Sequence, residues 1–145
     1  MSDEDRSEDR NQIMQLKARY FRMMDTKDWD GLAAVFTEDV QIDMTSEGAG
    51  VTRSVSEYLP FLRSHIEAAT TVHHGHMPEI TFTSATAATG IWAMEDMVWW
   101  PEGSPTSSLH GYGHYHETYA KADGEWRIAT MTLTRLRRDR LTVSK

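Results

Sequence analysis

The chain has 145 residues, 39% of them hydrophobic, a formal net charge of −7 and no cysteine. This length suits one domain with one core, and the acidic balance argues against a general nucleic-acid binder. Without thiols there is no disulfide framework and no cysteine nucleophile. No apolar stretch is long enough to span a bilayer and the N-terminus is acidic, so we expect a cytoplasmic protein that does not contact membranes.

The N-terminal part divides into an acidic leader and the start of the fold. Residues 1–9 are polar and charged, which predicts a disordered leader, and residues 10–145 then form a single domain. From Asn11 onward, apolar residues recur at helical spacing, which predicts a first helix that ends near residues 25–27.

Capping residues and alternation predict three more elements before the middle of the chain. Asp28 has the position of an N-cap for a short second helix. The alternating segment Val40–Met44 predicts a strand. Ser54-Val55-Ser56-Glu57 has the form of a capping box and opens a third helix that runs to about Ala69.

The second half of the chain is rich in strand formers. Strands are predicted at Thr71–Thr83, Thr86–Trp100, His110–Lys121 and Glu125–Arg138, with a hairpin turn at Asp123-Gly124. Helices followed by such strands imply an α+β fold, in which N-terminal helices pack on a curved antiparallel sheet. A sheet wrapped around a helical layer forms a cone whose interior pocket suits a small molecule.

Several ionisable side chains lie inside otherwise apolar segments. Burying such groups is costly unless they are paired or used, so they indicate acid–base chemistry on an apolar substrate. The candidate catalytic residues are Tyr20, Asp25, His73, Asp96 and Arg135.

Asp25 and His73 are the candidates for proton transfer. Asp25 is predicted at the C-terminal end of the first helix, where the helix dipole disfavours a negative charge that a nearby imidazolium would relieve. His73 is then a general base that Asp25 orients. The residues alone leave an equal alternative, in which Asp25 begins a turn and His73 binds backbone. Tyr20 is either a proton donor or a core tyrosine.

The other two candidates also have alternatives. Strand alternation lets either Glu95 or Asp96 face inward, and desolvation would raise the pKa of a buried Asp96 and suit it to donate a proton. Arg135 could pair with Asp96 or hold a ligand carbonyl or carboxylate. It could equally be a surface residue of the basic run 135–140, which either contacts an acidic ligand tail or is a solvated strand end.

Short segments along most of the chain form a recognisable pattern. In order, they are Tyr20-Phe21-Arg22-Met23-Met24-Asp25, Asp28-Trp29-Asp30, Phe36-Thr37-Glu38-Asp39-Val40, His73-His74-Gly75-His76-Met77-Pro78-Glu79-Ile80-Thr81, Gly90-Ile91-Trp92-Ala93-Met94-Glu95-Asp96 and Asp123-Gly124-Glu125-Trp126. Together they resemble SnoaL-like proteins of the nuclear-transport-factor-like cone fold, a group that includes scytalone dehydratase and ketosteroid isomerase. The five candidate catalytic residues are most similar to the set of bile-acid 7α-dehydratases, whereas scytalone dehydratases share only Asp25 and His73.

The resemblance implies a dehydratase that needs no cofactor. Such an enzyme removes water from a hydrophobic polycyclic ketone, such as a steroid, a bile-acid derivative or a polyketide, through an enolate. A ketosteroid-type isomerase, a polyketide cyclase or a non-catalytic binding or assembly module of the same fold are the alternatives. The expected pocket residues are Met24, Met44, Trp92, His76, His114 and Tyr115.

Histidine pairs and aromatic residues give two further expectations. His74 with His76, and His114 with His116, each share a strand face and could together bind a metal, although polar pocket lining is the preferred interpretation and we expect no metal. The aromatic residues of Trp92–Trp100 and Tyr112–Tyr119 give more apolar surface than one small pocket can use. We therefore expect a homo-oligomer, either a dimer or a trimer.

Overall fold

The computed structural model describes residues 3–142. Its elements are α1 (Asp3–Asp25), α2 (Trp29–Ala33), β1 (Phe36–Asp43), a 3₁₀ turn (Thr45–Glu47), β2 (Val51–Thr52), α3 (Val55–Ile66), β3 (Thr70–Ser84), β4 (Ala87–Trp99), β5 (Thr106–Ala122) and β6 (Glu125–Thr142). The predicted α+β class is confirmed. No helix in the described range is long and apolar enough to cross a membrane.

The strands form one six-stranded sheet in the order β2-β1-β6-β5-β4-β3. Strands β3 to β6 are an antiparallel meander, as predicted. The sheet is nevertheless mixed, because β1 runs parallel to β6. These two strands are far apart in the chain and no hairpin joins them, so the antiparallel direction is not imposed on that pair.

The start of α1 corrects the prediction for the leader. The helix begins at Asp3 and not at Asn11, while Met1 and Ser2 lie outside the described residues. Asp9 is 5% exposed and accepts hydrogen bonds from Trp126 Nε1 at 2.9 Å and Lys121 Nζ at 3.0 Å. These contacts with the β5–β6 hairpin anchor a segment that its composition alone made look disordered.

Local signals placed the helix starts and the hairpin turn well, whereas β1 begins at Phe36, four residues before the predicted start. Asp28 accepts a hydrogen bond from Gly31 N and caps α2, and Ser54 Oγ accepts one from Glu57 N and caps α3. Helix α3 ends at Ile66, three residues short of the predicted end. Asp123 and Gly124 have φ of 53° and 78°, the left-handed pair that a two-residue hairpin turn requires.

The core lies between α1 and the inner face of the sheet. Apolar residues of α1 at helical spacing are almost fully buried there: Ile13, Leu16, Tyr20 and Met24. On β4 the even-numbered residues face this core and the odd-numbered ones face outward. Asp96 is therefore the inward residue, at 5% exposure, and Glu95 lies on the outer face.

Candidate active site

A cavity of about 690 Å³ opens between α1, α3 and the inner face of the sheet. Polar and ionisable side chains line part of it: Tyr20, Glu47, Tyr58, His73, Asp96, Tyr115 and Arg135. Apolar and hydroxyl side chains line the remainder, among them Met24, Met44, Phe61, Leu62, Val98, Trp100, Ser104, Thr106, Leu109 and Leu133. This combination of an apolar wall with a few polar groups is typical of a small-molecule site.

Asp25 and His73 form a tightly bonded pair at the edge of this cavity. Asp25 is the last residue of α1, and its Oδ1 lies 2.7 Å from His73 Nδ1. The backbone N–H of His73 donates to Asp25 Oδ2 at 2.9 Å. A carboxylate that accepts from Nδ1–H leaves Nε2 of the ring unprotonated in the neutral form, and His73 itself lines the cavity. The ring thus has the tautomer that a general base needs.

Two neighbours complete the surroundings of Asp25. Thr71 Oγ1 donates to Asp25 Oδ1 at 2.9 Å and in turn accepts from Lys27 Nζ at 2.9 Å. Burial works to raise the pKa of Asp25, but its hydrogen bonds and charge interaction with His73 outweigh burial and lower the pKa. Asp25 therefore remains a carboxylate that can stabilise a positive charge on the imidazole.

A second charged pair lies on the opposite side of the His73 ring. Arg135 donates to both oxygens of Asp96, with Nη1–Oδ1 at 2.6 Å and Nη2–Oδ2 at 3.1 Å. Arg135 Nε also donates to Glu47 Oε1 at 2.9 Å. Asp96 Oδ2 lies 3.9 Å from His73 Nε2. The two pairs thus place carboxylates on both sides of one imidazole.

Gly111 makes room for the Arg135–Asp96 pair. It lies on β5 opposite Asp96, and a Cβ built on it would collide with Arg135 Nη1 and Asp96 Oδ1. A side chain here would displace one or both partners. This glycine is thus part of the architecture of the site.

Three tyrosines bring hydroxyl groups to the cavity. Tyr20 packs edge-on against Tyr115, with ring centroids 5.8 Å apart, and interacts through its hydroxyl with Tyr58 and Tyr115. Burial raises the pKa of Tyr20 and of Tyr115 well above the ordinary value for tyrosine. Both hydroxyls therefore stay protonated near neutral pH and can donate hydrogen bonds to a ligand.

The structure brings the five candidate catalytic residues of the sequence together. Tyr20, His73, Asp96 and Arg135 line the cavity, and Asp25 supports His73 from behind. Of the expected pocket residues, Met24, Met44 and Tyr115 also line the cavity.

Three of the expected pocket residues lie elsewhere. His76 is on the outer face, where its side chain is 56% exposed and Nε2 lies 3.7 Å from Glu95 Oε1. His114 also faces outward, because its neighbour Tyr115 points into the core. Trp92 is buried behind the cavity wall and donates to Tyr119 at 2.8 Å. The two histidines face outward because side chains alternate between the two faces of a strand. Trp92 lies deeper in the core than the residues that line the cavity.

Sequence reasoning missed several residues of the site. Glu47 follows a strand in a short 3₁₀ turn without periodicity, and its partner Arg135 is 88 positions away. Tyr58 lies on the buried face of α3, where an apolar core residue would also lie, and it lines the cavity. Thr71 precedes His73 by two on β3, so the alternation of that strand is a signal that puts both on the side of Asp25.

Three histidines, His74, His76 and His110, gather around Glu95 on the outer face. His110 Nε2 lies 3.0 Å from Glu95 Oε2, and His74 Nδ1 lies 3.7 Å from Oε1. Hydrogen bonding to His110 outweighs desolvation and lowers the pKa of Glu95. Among the side chains described for residues 6–142, there is no group of three or more His, Cys, Asp or Glu arranged to hold a metal ion.

Comparisons with known proteins agree with this fold. The model of the SnoaL-like domain matches residues 5–132, and the chain belongs to that family. A probable cyclase of Gibberella zeae is 23% identical over 133 residues, which are 86% of this chain and 89% of the relative.

Solved structures of similar shape include two named for elimination reactions. A hexachlorocyclohexane dehydrochlorinase, LinA type 2, has a TM-score of 0.84 at 23% identity and covers 99% of this chain and 95% of its own. A candidate scytalone dehydratase from Novosphingobium aromaticivorans has a TM-score of 0.85 at 21% identity, covering 99% and 94%. At these identities the likeness establishes the shared fold.

Proposed function

We propose that this protein is a cofactor-independent lyase that removes water from a hydrophobic polycyclic ketone, such as a steroid, a bile-acid derivative or a polyketide. One observation carries the proposal. The 2.7 Å contact between Asp25 and His73 Nδ1 leaves the other ring nitrogen at a cavity that also holds Tyr20, Asp96 and Arg135. The family match and the relatives named for cyclisation and elimination support the same class of chemistry.

The reaction begins with removal of a proton by His73. Its Nε2 takes a proton from a carbon made acidic by conjugation with the substrate carbonyl, and the electrons of that C–H bond form an enolate. The imidazolium that results is stabilised by the Asp25 carboxylate at Nδ1 and by Asp96 at 3.9 Å from Nε2. No cofactor takes part in this step, because the carbonyl of the substrate accepts the electron pair.

The second step needs hydrogen-bond donors for the developing negative charge. Both oxygens of Asp96 already accept from Arg135, so the donor role falls to the Tyr20 and Tyr115 hydroxyls. They stabilise the enolate oxygen. Collapse of the enolate re-forms the carbonyl, shifts the electron pair into a new C=C bond and expels hydroxide. The proton on His73 joins the hydroxide, so that one molecule of water leaves.

A ketosteroid-type isomerase or a cyclase is the second candidate. The same base and the same donors would serve it, and a curated relative is a probable cyclase. An isomerase returns the proton to another carbon of the same substrate and leaves the mass unchanged. The two candidates are therefore distinguished by the mass of the product.

The test begins with a thermal-shift screen of 3-keto steroids and polyketide ketones. Compounds that stabilise the protein are then incubated with it, and the products are measured by mass spectrometry for loss of one water. We expect His73→Gln and Asp25→Asn to lower kcat by about 10²- to 10⁴-fold while ligand binding persists. His116→Gln is a matched control, because its ring lies on the outer face, 3.1 Å from Thr134 Oγ1.

Two outcomes would contradict the proposal. Binding without turnover in the wild type, for every compound that stabilises it, would make the protein a binding module. Full turnover in His73→Gln would remove His73 from the chemistry.

A further inference from the structure

Strand β6 carries three arginines on the cavity side. In its register with β5, Arg135 lies opposite Gly113 but Arg137 lies opposite the adjacent Tyr112, so β6 holds one extra residue at this point. Such a bulge reverses which residues face inward. Before it, odd-numbered residues such as Leu133 are buried; after it, Arg138 and Arg140 face the cavity side.

Carboxylates of the chain neutralise two of these three arginines. Arg135 pairs with Asp96 and with Glu47, and Arg138 also contacts Glu47. Arg140 lines the cavity, and among the side chains described for residues 6–142 it has no carboxylate within ion-pair distance.

The carboxylate nearest to Arg140 in the sequence is already in use. Asp139 points to the other side of the strand, where its Oδ1 lies 2.9 Å from Arg137 Nε. Within the described part of the chain, the positive charge of Arg140 at the cavity is therefore not compensated by a carboxylate.

The position of Arg140 separates it from the reacting groups. It follows Arg135 by five residues, and at about 3.3 Å per residue this places it up to about 16 Å along β6. Near this end the cavity is lined by the hydroxyl groups of Ser104 and Thr106, and Thr106 pairs with Thr142, two residues beyond Arg140. A ligand that fills the cavity thus meets the Asp25–His73 pair at one end and a cation with neighbouring hydroxyl groups at the other.

We propose that the substrate carries a carboxylate at the end remote from its reacting ketone, and that Arg140 binds this carboxylate at the mouth of the cavity. This inference rests on the proposed function and deepens it, because it selects acidic amphiphilic ketones over neutral ones. Arg140 is then a specificity-determining residue and takes no part in bond breaking. The guanidinium suits the role, since its N–H groups match the two oxygens of a carboxylate.

The test compares two ligands that differ in one charge. Binding of 3-oxochol-4-en-24-oic acid and of its methyl ester is measured by titration calorimetry at low salt. We expect the wild type to bind the acid about three- to ten-fold more tightly than the ester, and Arg140→Gln to bind the two alike. The preference weakens as salt is added, since the contact is exposed to solvent.

Arg137→Gln is the matched control. It removes the same charge from the same strand, but Arg137 faces outward against Asp139. It should keep the preference of the wild type for the acid. Equal binding of acid and ester by the wild type, or loss of the preference in Arg137→Gln as well, would overturn the inference while the proposed function stands.

A second pair of probes decides the case in which neither steroid binds. That result counts against a steroid substrate under the proposed function. The aromatic sulfonate 8-anilinonaphthalene-1-sulfonate and the neutral N-phenyl-1-naphthylamine, both fluorescent in apolar pockets, then replace the steroids. A preference for the anion that Arg140→Gln loses and Arg137→Gln keeps supports the anion site, and any other pattern, including no binding of either dye, overturns it.

Discussion

A buried ion pair below the floor of the cavity gives the sharpest stability prediction. Lys17 Nζ lies 2.6 Å from Glu117 Oε2, and both side chains are 0% exposed. The ammonium group also lies 3.7 Å from the ring centroids of Tyr20 and of Tyr115. Replacing Lys17 with Met leaves the Glu117 carboxylate buried without its partner. We expect Lys17→Met to lower the free energy of unfolding by about 3–5 kcal/mol.

Removing both charges should be far less harmful than removing one. A buried pair exchanged for apolar residues of similar volume is often neutral or stabilising by about 1–4 kcal/mol. Here Tyr119 loses the acceptor that its hydroxyl has in Glu117 Oε1 at 2.7 Å, which costs about 1 kcal/mol. The double variant Lys17→Met/Glu117→Leu should therefore lie within about 2 kcal/mol of the wild type.

The assay is urea unfolding followed by circular dichroism at pH 7. Burial lowers the pKa of Lys17 to about 8, so the ion pair is still present at that pH. The control is Arg63→Met, which breaks an i,i+4 pair with Glu67 whose side chains are 46% and 53% exposed and should cost less than about 1 kcal/mol. If Lys17→Met is no more destabilising than this control, or if the double variant is the worse of the two, the reasoning fails.

Three further predictions concern the site, its pH dependence and assembly. Gly111→Ala should lower kcat about ten-fold or more by displacing Arg135 or Asp96, while Gly50→Ala, with open space around it, should leave kcat unchanged; equal rates in both would contradict the role of Gly111. Folding lowers the pKa of Asp25. Its carboxylate therefore contributes fully to the free energy of unfolding above the pKa of the unfolded chain, about 3.9, and this contribution is lost as the pH falls through the pKa of the folded protein. Urea unfolding should therefore show that the free energy of unfolding falls less from pH 6 to pH 3 in Asp25→Asn than in the wild type. An equal fall in both proteins would contradict this prediction. The exposed apolar residues on the outer face of β4 favour a homo-oligomer, so a monomer at micromolar concentration in sedimentation velocity would exclude it.

The sequence allowed us to predict the helix caps and the hairpin turn, because neighbouring residues determine these features. The caps at Asp28 and Ser54 and the turn at Asp123-Gly124 each depend on atoms within four residues. The contact of Asp25 with His73 spans 48 residues, yet the helix end where a carboxylate is unfavourable pointed to a cationic partner. The family resemblance then identified His73 as this partner.

The sequence did not allow prediction of features that depend on contacts between residues far apart in the chain. Alternation on β4 admitted either Glu95 or Asp96 as the inward residue, and the pairing of Asp96 with Arg135 is the contact that offsets its burial. The bulge in β6 reverses the inward side beyond Arg135, so no pattern in the run 135–140 could show that Arg140 reaches the cavity. The partners of Asp9 lie more than 100 residues away, which is why a charged segment looked like a leader.

The position of Asp25 links the fold to the proposed chemistry. A carboxylate at the C-terminal end of α1 meets the negative end of the helix dipole. The chain compensates with a backbone N–H, a threonine hydroxyl and the Nδ1–H of His73, all of which donate to it. All three donors are uncharged as long as the His73 ring is neutral. They therefore offset only part of the unfavourable interaction between the Asp25 carboxylate and the dipole of α1. When His73 takes up a proton, a full positive charge arises 2.7 Å from the carboxylate and offsets that field. The same helix end that makes Asp25 costly in the resting protein thus favours the imidazolium that the proposed elimination must form.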